Sequence, residues 1–315
     1  MKFFRSDQPI VALMLLLLSV CIWLGSFILG SDISESLVYS RWSHYEKWIN
    51  SIPWIRLVVS YIIHVGVAFF LNTVAVNNKL VQKSSYLVAF SYLLLATGTG
   101  LAFVFRGDAL VSLGLVLCLH RIFQLPTINR FASIVFDSAL LIGIMSVIYI
   151  ENVLLSSLLI TAIIMFKSIT FRGAIMTVVG VGLPFLYLFS MLYLFDGLGT
   201  LENWRLKLST AQIESKEYII LLALILLLVP SLFGVLQSYS HRVAVGRKAL
   251  NLILLLLVFT SVLGGLFYEV KIIYAPIVIP LALVLGVFFD QIRKVIVAEV
   301  ILLLFMAVVL YYYFS

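Results

Sequence analysis

The sequence predicts an all-α protein built as a polytopic bundle of transmembrane helices. Of its 315 residues, 63% are hydrophobic and only 11% are charged, and the mean hydropathy is +1.17. A soluble domain is about 45–50% apolar and about 25% charged, so this composition excludes a water-soluble globular fold. The charged residues also lie between long apolar runs rather than within them. These observations further exclude a disordered chain, a collagen and a disulfide scaffold.

Eleven apolar runs are candidate spans, since a helix needs about 20 apolar residues to cross the hydrocarbon layer. Two are weak: 109–124 has only eleven apolar or small residues before His120, and 153–166 is short. Each of these two could instead be a thin span or a re-entrant segment. We treat 1–315 as a single integral membrane domain. The eleven runs are 10–29, 54–75, 86–105, 109–124, 132–150, 153–166, 173–195, 218–238, 249–268, 272–289 and 295–314.

The distribution of charge predicts the orientation, because cytoplasmic loops carry an excess of Lys and Arg. With the N-terminus inside, the inner segments hold thirteen basic residues and the outer segments eight, whereas ten of the fourteen acids lie outside. Removing one weak span would invert every later segment and spoil this separation. Removing both leaves nine spans but moves Arg121 and Arg130 outside. The sequence therefore predicts eleven spans, with the N-terminus inside and the C-terminus outside.

The first apolar run predicts an uncleaved helix in the inner (cytoplasmic) membrane. Residues 10–29 exceed the about 7–15 apolar residues of a signal peptide and lack a convincing cleavage site. The net charge of +7 follows from the basic inner loops, and no basic stripe forms, so we expect no nucleic-acid partner. Cys21 and Cys118 lie inside apolar runs, which favours apolar packing over a disulfide or a metal site.

The first outer loop is predicted to contain an amphipathic helix on the membrane surface. Apolar side chains recur there at helical spacing, and three nearby tryptophans are typical of the membrane interface. The apolar face consists of Val38, Trp42, Tyr45 and Ile49. Asp32 and Glu35 follow the first span at i and i+3, which puts both carboxylates on one face if that turn is helical. A carboxylate there could act as a general base, whereas the alternative is an interfacial anchor without chemistry.

This loop loosely resembles that of the polytopic, lipid-dependent glycosyltransferases, which have an acid in the first outer loop and an amphipathic helix after it. The usual adjacent pair of acids and a large outer domain are absent from this sequence. The resemblance implies sugar transfer from or onto a polyprenyl phosphate, with Asp32 or Glu35 as the base. Outer-face cations would then hold the phosphate through charge-assisted hydrogen bonds. The candidates are Arg56, Lys271, Arg205 and Lys207.

The histidines do not predict a metal site, because metal ligands must converge within about 2–2.3 Å of one ion. The predicted topology spreads them from the outer to the inner face of the membrane, and no His-x-x-His spacing occurs. The cofactor stays unknown. The four histidines are His44, His64, His120 and His241.

Polar residues inside spans are costly and therefore candidates for function. His64 lies ten residues into the second span, and Asp137 lies several residues into the fifth. For His64 the alternative is a hydrogen bond between helices, and for Asp137 it is a position that reaches the inner interface. The Gly/Pro stretch 180–184 and the prolines of later spans either kink a packed helix or line a cavity.

The opening FFRSDQP resembles the start of an uncharacterised family of Bacteroidetes-type polytopic inner-membrane proteins. The stretches 120–150, 167–173 and 180–187 resemble the same family. Some members are labelled carotene oxygenase, but the depths of the histidines do not support an iron site in this chain. The resemblance implies the inner membrane of a Gram-negative cell and no particular mechanism.

Three functions are compatible with these observations. The first is an enzyme of envelope glycan assembly that uses a polyprenyl phosphate among the membrane lipids. The second is a transporter or flippase with a polar cavity around His64 and the broken helices. The third is a non-catalytic subunit that binds a protein partner in the envelope. Whether the protein is an enzyme is left open by the sequence.

Overall fold

The computed structural model describes residues 9–28, 48–81, 85–99, 105–126, 131–166, 171–195, 215–239, 244–267, 275–292, 299–300 and 303. Within these ranges the chain is helical and contains no β-strand. The all-α prediction is therefore confirmed for the described residues. The α-helices are α1 Pro9–Ile28, α2 Pro53–Asn77, α3 Leu87–Gly98, α4 Gly107–Phe123, α5 Phe131–Ile148, α6 Leu155–Phe166, α7 Phe171–Leu194, α8 Ser215–Tyr239, α9 Ala244–Phe267 and α10 Val278–Gln291. Two 3-10 turns, Ile150–Leu154 and Ala275–Ile277, precede α6 and α10.

Four of the described helices are long and apolar enough to cross a membrane: α2, α5, α7 and Gly246–Leu266 within α9. Each has 18 residues or more, so each reaches about 27 Å or more at 1.5 Å per residue. The helices α7 and α8 continue through Pro184 and Pro230, so these prolines do not end them. The structure thus supports a helical membrane protein.

The centre of the bundle is formed by two short helices, α3 and α10. All 12 residues of α3 are buried, and so is the stretch 278–289 of α10. The two helices approach closely at Gly286, where an added Cβ would collide with the Val88 side chain. Both helices have apolar residues around their whole circumference, as expected of helices that are surrounded by other helices.

The helices α5 and α7 pack through small residues. A Cβ added at Gly180 of α7 would lie 2.6 Å from the Ala139 Cβ, and one added at Gly143 of α5 would lie 2.7 Å from the Val181 carbonyl oxygen. Gly, Ala and Ser at such positions allow helix backbones to come close in a membrane. Most other residues of α7 are apolar and either exposed or half-buried, as expected of a lipid-facing helix; Phe171, for example, is 84% exposed.

The contacts also give the relative directions of neighbouring helices. Asn50, just before α2, hydrogen-bonds Phe105, just before α4, and Phe70 near the end of α2 contacts the ring of His120 near the end of α4. Thus α2 and α4 run parallel over almost their whole length. We call the end where they begin the Arg106 end, and the end where they finish the His120 end. The segment between them, α3, returns from the second end to the first.

Buried or half-buried asparagines satisfy backbone groups where helices begin or end. The Asn50 amide donates to the Phe105 carbonyl at 2.8 Å and accepts from the Phe105 N–H at 3.1 Å. Asn72 of α2 donates to the Ser85 carbonyl at 3.0 Å, just before α3. Asn152 donates to the Met145 carbonyl at 3.1 Å, where α5 gives way to a 3-10 turn. Without these amides, the backbone groups would be left unpaired in an apolar environment.

Candidate functional site

A buried ion pair lies at the Arg106 end of the bundle. The Arg106 Nη2 is 2.6 Å from the Asp108 Oδ2, and the two residues are only 8% and 1% exposed. The same carboxylate oxygen accepts a hydrogen bond from the Ala275 N–H at 3.3 Å. Asp108 therefore joins the start of α4 to the start of the segment that leads into α10.

The local sequence explains why α4 begins where it does. Arg106 has extended backbone (φ −138°, ψ 150°), and Gly107 then opens the helix. Asp108 falls in the first turn, where a negative side chain interacts favourably with the partial positive charge of the helix N-terminus. Asn50 holds the residue before Arg106 in place through two hydrogen bonds. Both charges of the pair are thus positioned by rigid elements.

A second polar pair, formed by His64 and Tyr92, lies deeper in the bundle. The His64 Nδ1 is 3.0 Å from the Tyr92 hydroxyl oxygen, and each residue is 1% exposed. His64 comes from α2 and Tyr92 from the fully buried α3. We call the His64–Tyr92 and Arg106–Asp108 pairs together the polar cluster.

Two arginines at this end each have a buried N–H donor without an acceptor. The Nε atoms of Arg106 and Arg56 are both buried, and neither has a hydrogen-bond partner in the structure. Arg56 lies in the first turn of α2 and is half-buried. A guanidinium group has five N–H donors, so the single ion pair of Arg106 leaves most of them for other partners.

The structure describes only some of the residues that the sequence proposes for function. Asp32, Glu35, Lys271, Arg205 and Lys207 lie outside the described residues, and so does most of the predicted amphipathic helix. Arg56 and His64 both lie on α2, with His64 inside the polar cluster. Asp137 lies elsewhere, towards the His120 end, where its Oδ2 is 3.7 Å from the Arg121 Nη2 in a partly exposed pair.

The sequence analysis missed Arg106, Asp108 and Tyr92 as candidates. It assigned the two charges to an outer loop, and the structure instead buries them inside the end of the bundle. A signal was present: opposite charges two residues apart, directly before the weak run 109–124, could have been interpreted as an ion pair. Nothing in the sequence connects Asp108 to Ala275, which is 167 residues away.

The described residues contain no group of three or more His, Cys, Asp and Glu side chains that could hold a metal ion. His120 is 3.0 Å from the Gln124 side-chain nitrogen and also packs against Phe70, at the opposite end from Arg106. His64 and His120 are therefore in separate environments. Comparisons of this chain with protein-family models, characterised proteins and solved structures find no match.

Proposed function

We propose that this protein is a multi-pass protein of the inner membrane, with eleven spans, the N-terminus inside and the C-terminus outside. In an eleven-span topology, the second and fourth spans cross the membrane in the same direction. The parallel course of α2 and α4 supports this topology, because the weak run 109–124 then runs from the Arg106 end to the His120 end as α2 does. Under this topology the Arg106 end faces outward. The resemblance to the Bacteroidetes-type family is part of the same proposal.

We propose further that the protein is a polyprenyl-phosphate-dependent glycosyltransferase, or a related enzyme of envelope glycan assembly, acting at the outer face. The observation that carries the proposal is the buried Arg106–Asp108 pair. Buried charges inside membrane bundles are rare and commonly mark substrate sites. In the proposed reaction, Asp32 or Glu35 takes the proton of the acceptor hydroxyl while its oxygen bonds to the anomeric carbon of the sugar. The bond from that carbon to the phosphate oxygen breaks, and the polyprenyl phosphate leaves, held by cations at the same end.

The positions of two phosphate-binding candidates in the sequence support placing them near the Arg106–Asp108 pair. Lys271 precedes Ala275 by four residues in the sequence, and the Ala275 N–H binds Asp108. Arg56 lies in the first turn of α2, and Asn50, shortly before that helix, hydrogen-bonds Phe105. Two of the four phosphate-binding candidates are therefore close in sequence to groups that contact the Arg106–Asp108 region.

The test is the double variant Asp32→Asn with Glu35→Gln, expressed at normal membrane abundance in the native host. We expect loss of a surface glycan product, read as a changed profile of cell-surface glycans. The matched control is Glu202→Gln with Glu214→Gln, two other predicted outer-face acids. The enzyme proposal fails if the first variant and the control both have the wild-type glycan profile.

A transporter or flippase is the second candidate, and the His64–Tyr92 pair favours it. A polar pair between buried helices is a feature of proton and substrate pathways through membranes. Reconstituted protein would then move a fluorescent lipid or a proton across vesicles, and Tyr92→Phe would slow that movement. If the reconstituted protein moves neither the lipid nor protons, and a protein partner co-purifies with it stoichiometrically, the non-catalytic subunit is favoured instead.

A further inference from the structure

We propose that Arg106 is the residue that binds the phosphate of the substrate, with Arg56 as a second guanidinium at the same end and Asp108 as the group that positions Arg106. This inference rests on the proposed function and deepens it, because it names the anion site. The ligand class is a phosphate ester or pyrophosphate, carried by a lipid or free in solution.

The first step of the argument is the cost of burying Arg106. An ion inside an apolar bundle loses its hydration, and only excellent hydrogen bonding compensates for that loss. Arg106 has one short ion pair at 2.6 Å, while its Nε–H is enclosed without an acceptor in the structure. An unsatisfied buried donor is costly, and more so when the group is charged. A purely structural arginine would not be expected to leave its Nε–H unused.

The second step concerns what Asp108 can and cannot do for Arg106. The Asp108 Oδ2 accepts both from the Arg106 Nη2 and from the Ala275 N–H. That carboxylate is therefore engaged between two elements and holds the guanidinium in one orientation. The Nε–H of Arg106 is left for another partner. A phosphate oxygen suits it, because it accepts charge-assisted hydrogen bonds from a guanidinium.

The third step is access and a second cation. A tenth of the Arg106 side chain is exposed although its Nε is buried, so the proposal requires the ligand to reach the Nε from that exposed part. Arg56 is half-buried at the same end, and its own Nε is enclosed without an acceptor in the structure. Asn50 links the two regions, since it precedes α2 and hydrogen-bonds the residue before Arg106. Two guanidinium groups with free Nε donors at one end favour an anionic ligand over a neutral one.

The experiment measures ligand binding by the full chain in phosphatidylcholine nanodiscs. Nanodiscs that contain polyprenyl phosphate are compared with nanodiscs that contain the same amount of polyprenol, which lacks the phosphate group. Inorganic phosphate and pyrophosphate are titrated separately. We expect polyprenyl phosphate or a soluble phosphate to raise the unfolding temperature, and polyprenol to leave it unchanged. A shift with the lipid alone indicates a lipid headgroup as the source, and a shift with the soluble anion indicates a free phosphate.

The variant that tests the assignment is Arg106→Lys, which keeps a positive charge beside Asp108 but removes the planar fork. We expect its phosphate affinity to fall at least about tenfold, as for loss of one charge-assisted hydrogen bond. The matched control is Arg121→Lys, at the other end of α4, whose affinity should equal that of the wild type. If Arg106→Lys does not fold, Arg106→Gln with Asp108→Asn removes both charges together and should also not bind.

Wild-type affinity in Arg106→Lys, or no preference for polyprenyl phosphate and soluble phosphates over polyprenol, would overturn the assignment. The outcome is separable from that of the proposed enzyme. Binding that depends on Arg106, together with an unchanged glycan profile in the Asp32/Glu35 variant, would keep the anion site and remove the glycosyltransferase. Loss of the glycan in the Asp32/Glu35 variant, without phosphate binding that depends on Arg106, would keep the glycosyltransferase and remove the anion site.

Discussion

The two ion pairs of α4 differ in their surroundings, and the difference determines what each contributes. Arg106 and Asp108 are almost fully buried, whereas the Arg121 and Asp137 side chains are 47% and 35% exposed. A buried charge that loses its partner has nothing to replace it, while an exposed one regains water. Disrupting the buried pair is therefore expected to lower the free energy of unfolding more than disrupting the exposed pair.

We expect Asp108→Asn to lower the free energy of unfolding by about 3–5 kcal/mol, because it leaves Arg106 charged and uncompensated. The double variant Arg106→Gln with Asp108→Asn should cost less than Asp108→Asn alone. Arg121→Gln should cost less than about 1 kcal/mol. Unfolding in mixed micelles measures all three variants. Equal costs for Asp108→Asn and Arg121→Gln would contradict the difference in burial.

Tyr92 provides a second test at the residue scale, because its hydroxyl hydrogen-bonds His64 at 3.0 Å. Tyr92→Phe removes one partner of a buried polar pair, and we expect a loss of about 1–3 kcal/mol of unfolding free energy. The matched control is Tyr187→Phe on α7, where the side chain is 64% exposed and the change should be within about 0.5 kcal/mol. Equal stability of Tyr92→Phe and the control would show that the pair adds nothing to folding.

At the scale of elements, small residues determine how closely α5 and α7 pack. Gly180 faces the Ala139 side chain and the Phe136 carbonyl, whereas a Cβ at Gly182 of the same helix would meet nothing within 4 Å. The two glycines differ by two positions in one helix, so they share membrane depth and backbone propensity. They differ in whether the neighbouring helix leaves room for a methyl group.

We therefore expect Gly180→Ala to destabilise the fold by about 1–3 kcal/mol through overpacking against α5. Gly182→Ala should be neutral or slightly stabilising, since alanine is the better helix former by about 1 kcal/mol. Thermal unfolding of both variants in one detergent measures the contrast. Equal losses would mean that helix propensity, rather than contact with α5, governs this position.

The ends of the long helices could be predicted from the sequence with good accuracy. The predicted run 54–75 corresponds to α2 at Pro53–Asn77, and 132–150 corresponds to α5 at Phe131–Ile148. A long apolar run bounded by polar residues has few ways to fold except as a helix. For the run 86–105, α3 covers Leu87–Gly98, and residues 100–104 lie outside the described part of the chain. Apolarity shows that a segment is buried, and it does not separate lipid from protein surroundings.

For the whole molecule, the eleven-span topology predicts which faces single cysteines reach. In a Cys21→Ser background, Ser209→Cys should react with a membrane-impermeant maleimide in intact spheroplasts, whereas Gln124→Cys and Ser240→Cys should react only after lysis. Gln124 directly follows α4 and decides between eleven and nine spans. Labelling of Gln124→Cys from outside would support the nine-span alternative. Labelling of Ser240→Cys from outside would show that the orientation is opposite to the one proposed.

The sequence by itself determined the fold class, the membrane setting and most of the helix boundaries. These follow from local composition, because each apolar run must satisfy its own backbone hydrogen bonds within a helix. Only the tertiary structure decided that α3 and α10 form the centre of the bundle, that Arg106 pairs with Asp108, and that His64 pairs with Tyr92. Asp108 and Ala275 are 167 residues apart, and such a contact depends on how many helices pack together rather than on any local pattern.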